Sequence, residues 1–320
     1  MNILYLGPYR QNNELGIVSR SYLDTLLSIG NVTSQPVFLD NLNIDKNIQF
    51  ASENNRYDTY DYLVQHLPIC KSVFTQSIKK NICIPIIDNN LISDDEHKKL
   101  SLFYKILTDT PYSYSLFKQT YKTKTKAIKP NLQIPTDINT YDLGFFNVSK
   151  KIYCILDYRK NAQLIQTLID SFAIASKHQT NHSYVLFVYN LNPNDTQHIH
   201  NLIKTRYDSI RSKSKIINTI LIPCGYDETA MLAAHNTGDI FLNITESLHS
   251  PLHYHYATLC KKGVIDVTNI NTVSSYLINN EYHQDACIKY SPENIVDAIL
   301  NLSIHKTKLE SRILLPEILC

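Results

Sequence analysis

Tryptophan is absent from this 320-residue sequence, and glycine is scarce at 7 residues. So little glycine excludes a collagen-like or glycine-rich repeat. Neither sign of charge is in real excess: 31 Lys and Arg stand against 29 Asp and Glu, a formal net charge of +2. No molecule-wide field therefore recruits nucleic acid or a membrane, and any site for a polyanion must be local. The seven cysteines (70, 83, 154, 224, 260, 287 and 320) are odd in number and include no C-x-x-C pair. That argues against a disulfide framework and a structural zinc site, and for reduced thiols in a cytoplasm. No apolar run approaches the roughly 20 residues a spanning helix needs; YVLFVY at 184–189 is among the longest. The opening MNILYLGPYR lacks the basic and apolar regions of a secretory signal and reads as a first strand. Hydrolase, NTPase and dinucleotide readings lose their usual support, because no G-x-S-x-G, P-loop or full G-x-G-x-x-G occurs.

What is present fits a folded chain: 43% of residues are apolar and 19% charged, and the length allows two cored domains. Short apolar runs alternate with longer amphipathic stretches, the pattern of parallel sheets flanked by helices. In the first half the expected strands are residues 2–7, 34–39, 60–66, 81–87 and 102–108. Between the first two, Ile17, Val18, Tyr22, Leu23, Leu26 and Leu27 fall on one helical stripe. Gly16 precedes that helix, where a glycine permits a tight strand-to-helix turn and exposed N–H groups attract anions. Residues 129–150 are rich in Pro, Asn, Asp and Thr and read as a linker. Beyond it, strands are expected at 151–158, 183–189, 215–223, 239–244 and in GVIDV, with helices between them, one near 252–262. The reading is an α/β protein of two Rossmann-like doubly wound domains, 1–140 and 141–300, with a helical tail at 301–320.

Four stretches carry a family resemblance. ILDYRKNAQLIQTLIDSF (155–172) and GYDETAMLAAHNTGDIFLNITES (225–247) resemble the nucleotide-sugar-binding domain of family-four retaining glycosyltransferases. YLGPYRQNNELGIVSRSYLDTL resembles the opening strand, glycine-bearing loop and first helix of the same enzymes, and YDYLVQHLP (60–68) the strand that delivers an active-site His. The resemblance implies the GT-B architecture, two such domains facing across a cleft. It also implies transfer of a sugar from a nucleoside-diphosphate donor to a glycan or other hydroxyl acceptor with retention, without metal or cofactor.

By that resemblance Lys160 and Arg159 meet the donor diphosphate, a concentrated negative charge that a cation beside a helix start stabilises. Glu246 faces the donor sugar, His66 contacts sugar or acceptor, Gly16 lies near the diphosphate, and Tyr226 meets the base. The plainer readings are solvated residues opening a helix for Arg159 and Lys160, a surface carboxylate for Glu246 and a hydrogen-bonded structural ring for His66. Departures from the family pattern are specific: Tyr254 stands where a second Glu is usual, and SLHSPLH replaces a Gly-Phe-Gly-Leu segment. They motivate two alternatives, a degenerate module that binds a glycan or protein without turnover, and transfer onto a modified nucleobase in DNA. His249, His253 and His255 invite a metal reading, but no Glu stands between them as in H-E-x-x-H, and no metal is expected. KQTYKTKTKAIK (118–129) carries five lysines and reads as a solvated run or a phosphate-binding segment.

Overall fold

Apolar runs of this alternating kind become two parallel sheets in the computed structural model. The structure describes residues 1–39, 44, 48–87, 92–109, 111–144, 149–178, 181–210, 217–225, 227–244, 252–266, 275–278, 281–284, 295–296, 299–300 and 315. The first sheet is built from β1 (Asn2–Gly7), β2 (Asn31–Pro36), β3 (Tyr62–Pro68), β4 (Lys80–Ile86), β5 (Lys105–Thr108) and β6 (Thr125–Ala127), with α1 (Glu14–Leu27), α2 (Asp94–Leu102) and α3 (Pro111–Thr120) interspersed. Its order is β2-β1-β3-β4-β5-β6, parallel throughout.

The second sheet uses β7 (Lys150–Asp157), β8 (His182–Tyr189), β9 (Thr219–Pro223), β10 (Ile240–Asn243) and β11 (Gly263–Asp266). The helices α4 (Tyr158–His178), α5 (Pro193–Ile210), α6 (Glu228–Thr237) and α7 (Leu252–Leu259) connect them. The order β11-β10-β7-β8-β9 is again parallel. A two-stranded antiparallel hairpin, β12 (Ser275–Ile278) with β13 (Glu281–Gln284), follows. Two doubly wound, Rossmann-like sheets are the α/β class expected from the sequence. No described helix is long and apolar enough to cross a membrane.

Three elements differ from expectation for physical reasons. The second strand was expected at 34–39, yet β2 spans Asn31–Pro36 and leaves Phe38 exposed. Its polar Thr33 and Ser34 are buried because partners wait for them: Thr33 Oγ1 meets Tyr60 Oη at 2.9 Å and Ser34 Oγ meets Ser52 Oγ at 2.7 Å. Residue 102 ends α2 rather than opening a strand. That helix is fixed at its start by a capping box, in which Ser93 Oγ accepts from the Glu96 backbone and the Glu96 carboxylate accepts from the Ser93 N–H. The lysine-rich stretch contributes the edge strand β6.

Of the helical stripe read from the sequence, Ile17, Val18, Tyr22, Leu23 and Leu26 are buried while Leu27 is exposed. Each buried Leu or Ile stabilises by roughly 1.5–3 kcal/mol. The stripe packs on Ile3, Tyr5, Val64 and Ile84 of the first sheet, and the same cluster continues into Met231, Leu232, Leu252 and Tyr256 of α6 and α7. The second sheet has its own core, where Ile165, Leu168 and Phe172 of α4 cover Cys154, Leu186 and Val188.

Candidate functional site

In a parallel sheet of this kind the carboxyl ends of the strands gather the loops that bind ligands. At the end of β1, residues 8–13 lead into α1. Asn13 caps that helix, its Oδ1 accepting from the Gly16 N–H at 2.9 Å. Gly16 is required by contact rather than by dihedral angle: a Cβ there would lie 1.7 Å from the Gln11 carbonyl oxygen. Arg20, one turn further, donates from Nη1 to the carbonyls of Tyr9 and Gln11 at 3.0 Å each and holds the loop against the helix. The Gln11 side chain is fully buried with no hydrogen-bond partner for either amide atom. An unpaired buried amide costs about 1–3 kcal/mol.

The second sheet meets this loop. Tyr189, at the carboxyl end of β8, donates from its hydroxyl to Glu14 Oε1 at 3.3 Å. His253 on α7 brings Nε2 to 3.6 Å from the same oxygen, an electrostatic contact beyond hydrogen-bonding distance. Behind it, His253 Nδ1 and His235 Nε2 are 3.3 Å apart, and His235 Nδ1 lies 2.8 Å from the Tyr153 hydroxyl. Burial, with His253 and Lys262 nearby, holds His235 well below the usual imidazole range, so it is neutral. One tautomer assignment satisfies the series: Tyr153 donates to His235, His235 to His253, and the His253 Nε2–H faces Glu14. Tyr256 also donates to Glu228 across α6 and α7. The series runs from a core tyrosine of the second sheet to the first turn of α1.

At the end of β7, Asp157 is buried and accepts from the Arg159 backbone N–H and from Asn190 Nδ2, both at 3.0 Å. It thereby ties together the turns that follow β7 and β8, the second of which holds Asn190 at a φ of 62°. Asn161 breaks α4 with a φ of −125° and ψ of 23°, its Nδ2 donating to the Asp157 carbonyl at 3.0 Å. Arg159 and Lys160 therefore sit in the turn ahead of the regular helix, where N–H groups lack intrahelical partners. Arg159 is exposed. Tyr254 lies on α7 beside His253. Tyr226, Glu246 and His249 lie outside the described residues.

His66 occupies the fifth position of β3 and is 1% exposed. Its ring packs edge-to-face on Tyr22 of α1, with centroids 5.4 Å apart, and its Nδ1 has no hydrogen-bond partner. Burial pulls its pKa down to about 3. The Tyr22 hydroxyl donates to Asp109 at the end of β5, and burial pushes that carboxyl up to about 6. His66 is thus a neutral ring beneath α1, set apart from the Glu14–His253 contact.

Among the described residues no group of three metal-ligating side chains gathers. His198 and His200 are exposed on either side of buried Ile199, the polar face of α5. A cavity of about 310 Å³ lies beside them, between α5 and the edge strand β9, lined by Ile203, Lys204, Ile217 and Leu221. Sequence reasoning passed over Glu14, Tyr189, His235 and Gln11. The available signal was the Glu14-Leu15-Gly16 triplet, which sets a carboxylate beside the glycine of the strand-to-helix turn.

No protein-family model and no curated protein matches the chain. Solved structures do. The S. aureus MnaA–UDP co-structure is matched over 94% of this chain and 87% of that one, at 9% identity and a TM-score of 0.56. The E. coli trehalose-6-phosphate structure bound with UDP-2-fluoro glucose is matched over 96% and 92%, at 9% identity and a TM-score of 0.55. The Glycosylation Associate Protein (Gap123) complex from Streptococcus agalactiae is matched at 14% identity and a TM-score of 0.47 over 74% of this chain, which spans about half of that one, 47%. Two parallel-sheet domains joined at their carboxyl ends, with these neighbours, give the chain the GT-B glycosyltransferase fold.

Proposed function

We propose that the chain is a glycosyltransferase that moves a sugar from a nucleoside-diphosphate donor to an acceptor hydroxyl, with retention, where the two sheets meet. The observation that supports this most is the break at Asn161, which leaves Arg159 and Lys160 at a helix start beyond the carboxyl end of β7. Cations and N–H groups at such a place stabilise a departing diphosphate. UDP is the first nucleotide to try, because two structural neighbours are described with UDP or a UDP sugar. In the reaction, the bond from the anomeric carbon to the diphosphate breaks with its electron pair leaving on the diphosphate. The acceptor oxygen bonds to that carbon on the same face and gives up its proton to the leaving group. Arg159 and Lys160 meet the leaving charge, Glu246 orients the donor sugar, and Gly16 keeps the loop close to the diphosphate, whereas His66, expected from the sequence to contact sugar or acceptor, is 1% exposed beneath α1 and is not open to either. Tyr226 meets the base, and Tyr254 takes the place of the carboxylate that would meet the ribose. The domains of this reading are 1–140 and 141–300, with the tail 301–320.

A second reading, binding without turnover, is favoured by Glu14. A carboxylate in the first turn of α1 occupies the helix start an anion would otherwise take. The two readings separate on turnover: release of UDP from UDP-sugars, followed with a panel of sugar acceptors. The transferase reading expects release that Glu246→Ala and Lys160→Ala each lower by tenfold or more. Binding of UDP with no release under any acceptor supports the second.

A further inference from the structure

Away from the strand ends just described, the opposite pole of the first sheet bears an exposed apolar and aromatic patch. β3, β4, β5 and β6 all begin there, and backbone and side-chain contacts tie the neighbouring loops into one surface. The Tyr104 backbone donates to the Asn81 carbonyl at 2.8 Å, Lys124 donates to the Ser101 carbonyl at 2.7 Å, and Phe74 packs edge-to-face on Phe103. On that surface Val73 is 50% exposed, Leu102 53%, Tyr104 46% and Phe74 39%. They make up the greater part of the large, solvent-facing apolar side chains among the described residues. Lysines interleave with them. The Lys80 ammonium lies 4.6 Å from the Tyr62 ring centroid and 5.8 Å from that of Tyr104, and Lys105 lies 5.5 Å from Tyr104. Lys79 and Lys122 are exposed close by. Asp61, which accepts from the Asn2 N–H, is the acidic neighbour of Lys80.

We propose that this pole docks on an anionic lipid surface. Cations with stacking rings alone describe a single-stranded nucleic-acid surface, and apolar residues without cations describe a protein–protein core. Here aromatic rings and aliphatic side chains share one patch with lysines, which suits the boundary of headgroups and acyl chains. A nearly neutral chain supplies no general attraction, so the local lysines carry the electrostatic part, worth about fivefold each near an anionic leaflet. Docking through this pole leaves the carboxyl end of the first sheet facing away from the bilayer. Lys122 and Lys124 of the lysine-rich segment thereby acquire a role that the sugar-transfer reading does not use.

Co-sedimentation with phosphatidylcholine vesicles, with and without phosphatidylglycerol, tests it on the full chain. The expected result is binding only to the phosphatidylglycerol vesicles, weakened by added salt. Lys105→Glu with Lys122→Glu should lower it by tenfold or more, and Leu102→Ser with Val73→Ser should lower it with unchanged thermal stability. No binding to either vesicle overturns the proposal. So does tighter binding to a single-stranded oligonucleotide, or concentration-dependent self-association abolished by the same variants, each of which assigns the patch to another occupant.

Discussion

His66 enters the fold as a neutral ring, and the energetic consequence can be worked out from its surroundings. Its pKa is pulled from 6.5 to about 3 by burial alone, so between these values the unfolded chain binds a proton that the folded chain refuses. Stability conferred by the fold is then complete above pH 6.5 and falls as pH drops, by about 1.4 kcal/mol per pH unit for this group. His235, held low for the same reason, adds to the slope. Asp109 acts in the other direction. Its carboxyl, raised from 3.8 to about 6, costs stability above pH 6 and none below the unfolded value, so it offsets part of the loss between pH 6 and 4. Thermal unfolding followed from pH 8 to 5 should show a midpoint that declines below pH 6.5, and His66→Leu should flatten that decline. A midpoint unchanged across this range would contradict the burial of both rings.

Among the elements, α1 does the most joining, and its start is where local chemistry is least forgiving. Gly16→Ala drives a Cβ into the Gln11 carbonyl, a backbone atom that moves only if the whole loop moves. The expected cost is about 2–4 kcal/mol, read as a lower denaturant midpoint with unchanged slope. A cost under about 0.5 kcal/mol would mean that the loop takes another path. This helix was legible in the sequence because five of its six stripe residues are buried, and so were β7 and β8, whose unbroken apolar runs have no other use in a parallel sheet. The displaced β2 was not legible, since Thr33 and Ser34 depend on Tyr60 and Ser52, which are distant in sequence. The series from Tyr153 to Glu14 was equally hidden. Its members lie on β7, α6, α7 and α1, and nothing in their spacing brings them together. The Arg159–Lys160 turn was visible as a strand followed by a helix, but the break at Asn161 that sets it ahead of the helix needs the Asp157 carbonyl.

Across the full chain, the two sheets are not independent units strung on a linker. Ile17, Val18 and Tyr22 of α1 share one apolar cluster with Met231, Leu232, Leu252 and Tyr256, and Glu14 faces His253 at its edge. Residues of the connecting stretch pack there too, the Tyr141 N–H donating to Thr237 Oγ1 at 2.8 Å and Asn236 Nδ2 to the Ile138 carbonyl at 3.0 Å. A ligand held between the sheets therefore acts on a junction that is already apolar and hydrogen-bonded, and donor binding should stabilise the chain as a unit. The decisive experiment is calorimetric titration of the purified protein with UDP, repeated on Lys160→Ala. One binding site, weakened at least tenfold in the variant, is the predicted result, since a charged hydrogen bond to a diphosphate is worth about 1.5–3 kcal/mol. No heat with UDP or with GDP and ADP tried in its place would contradict a nucleotide site beyond β7.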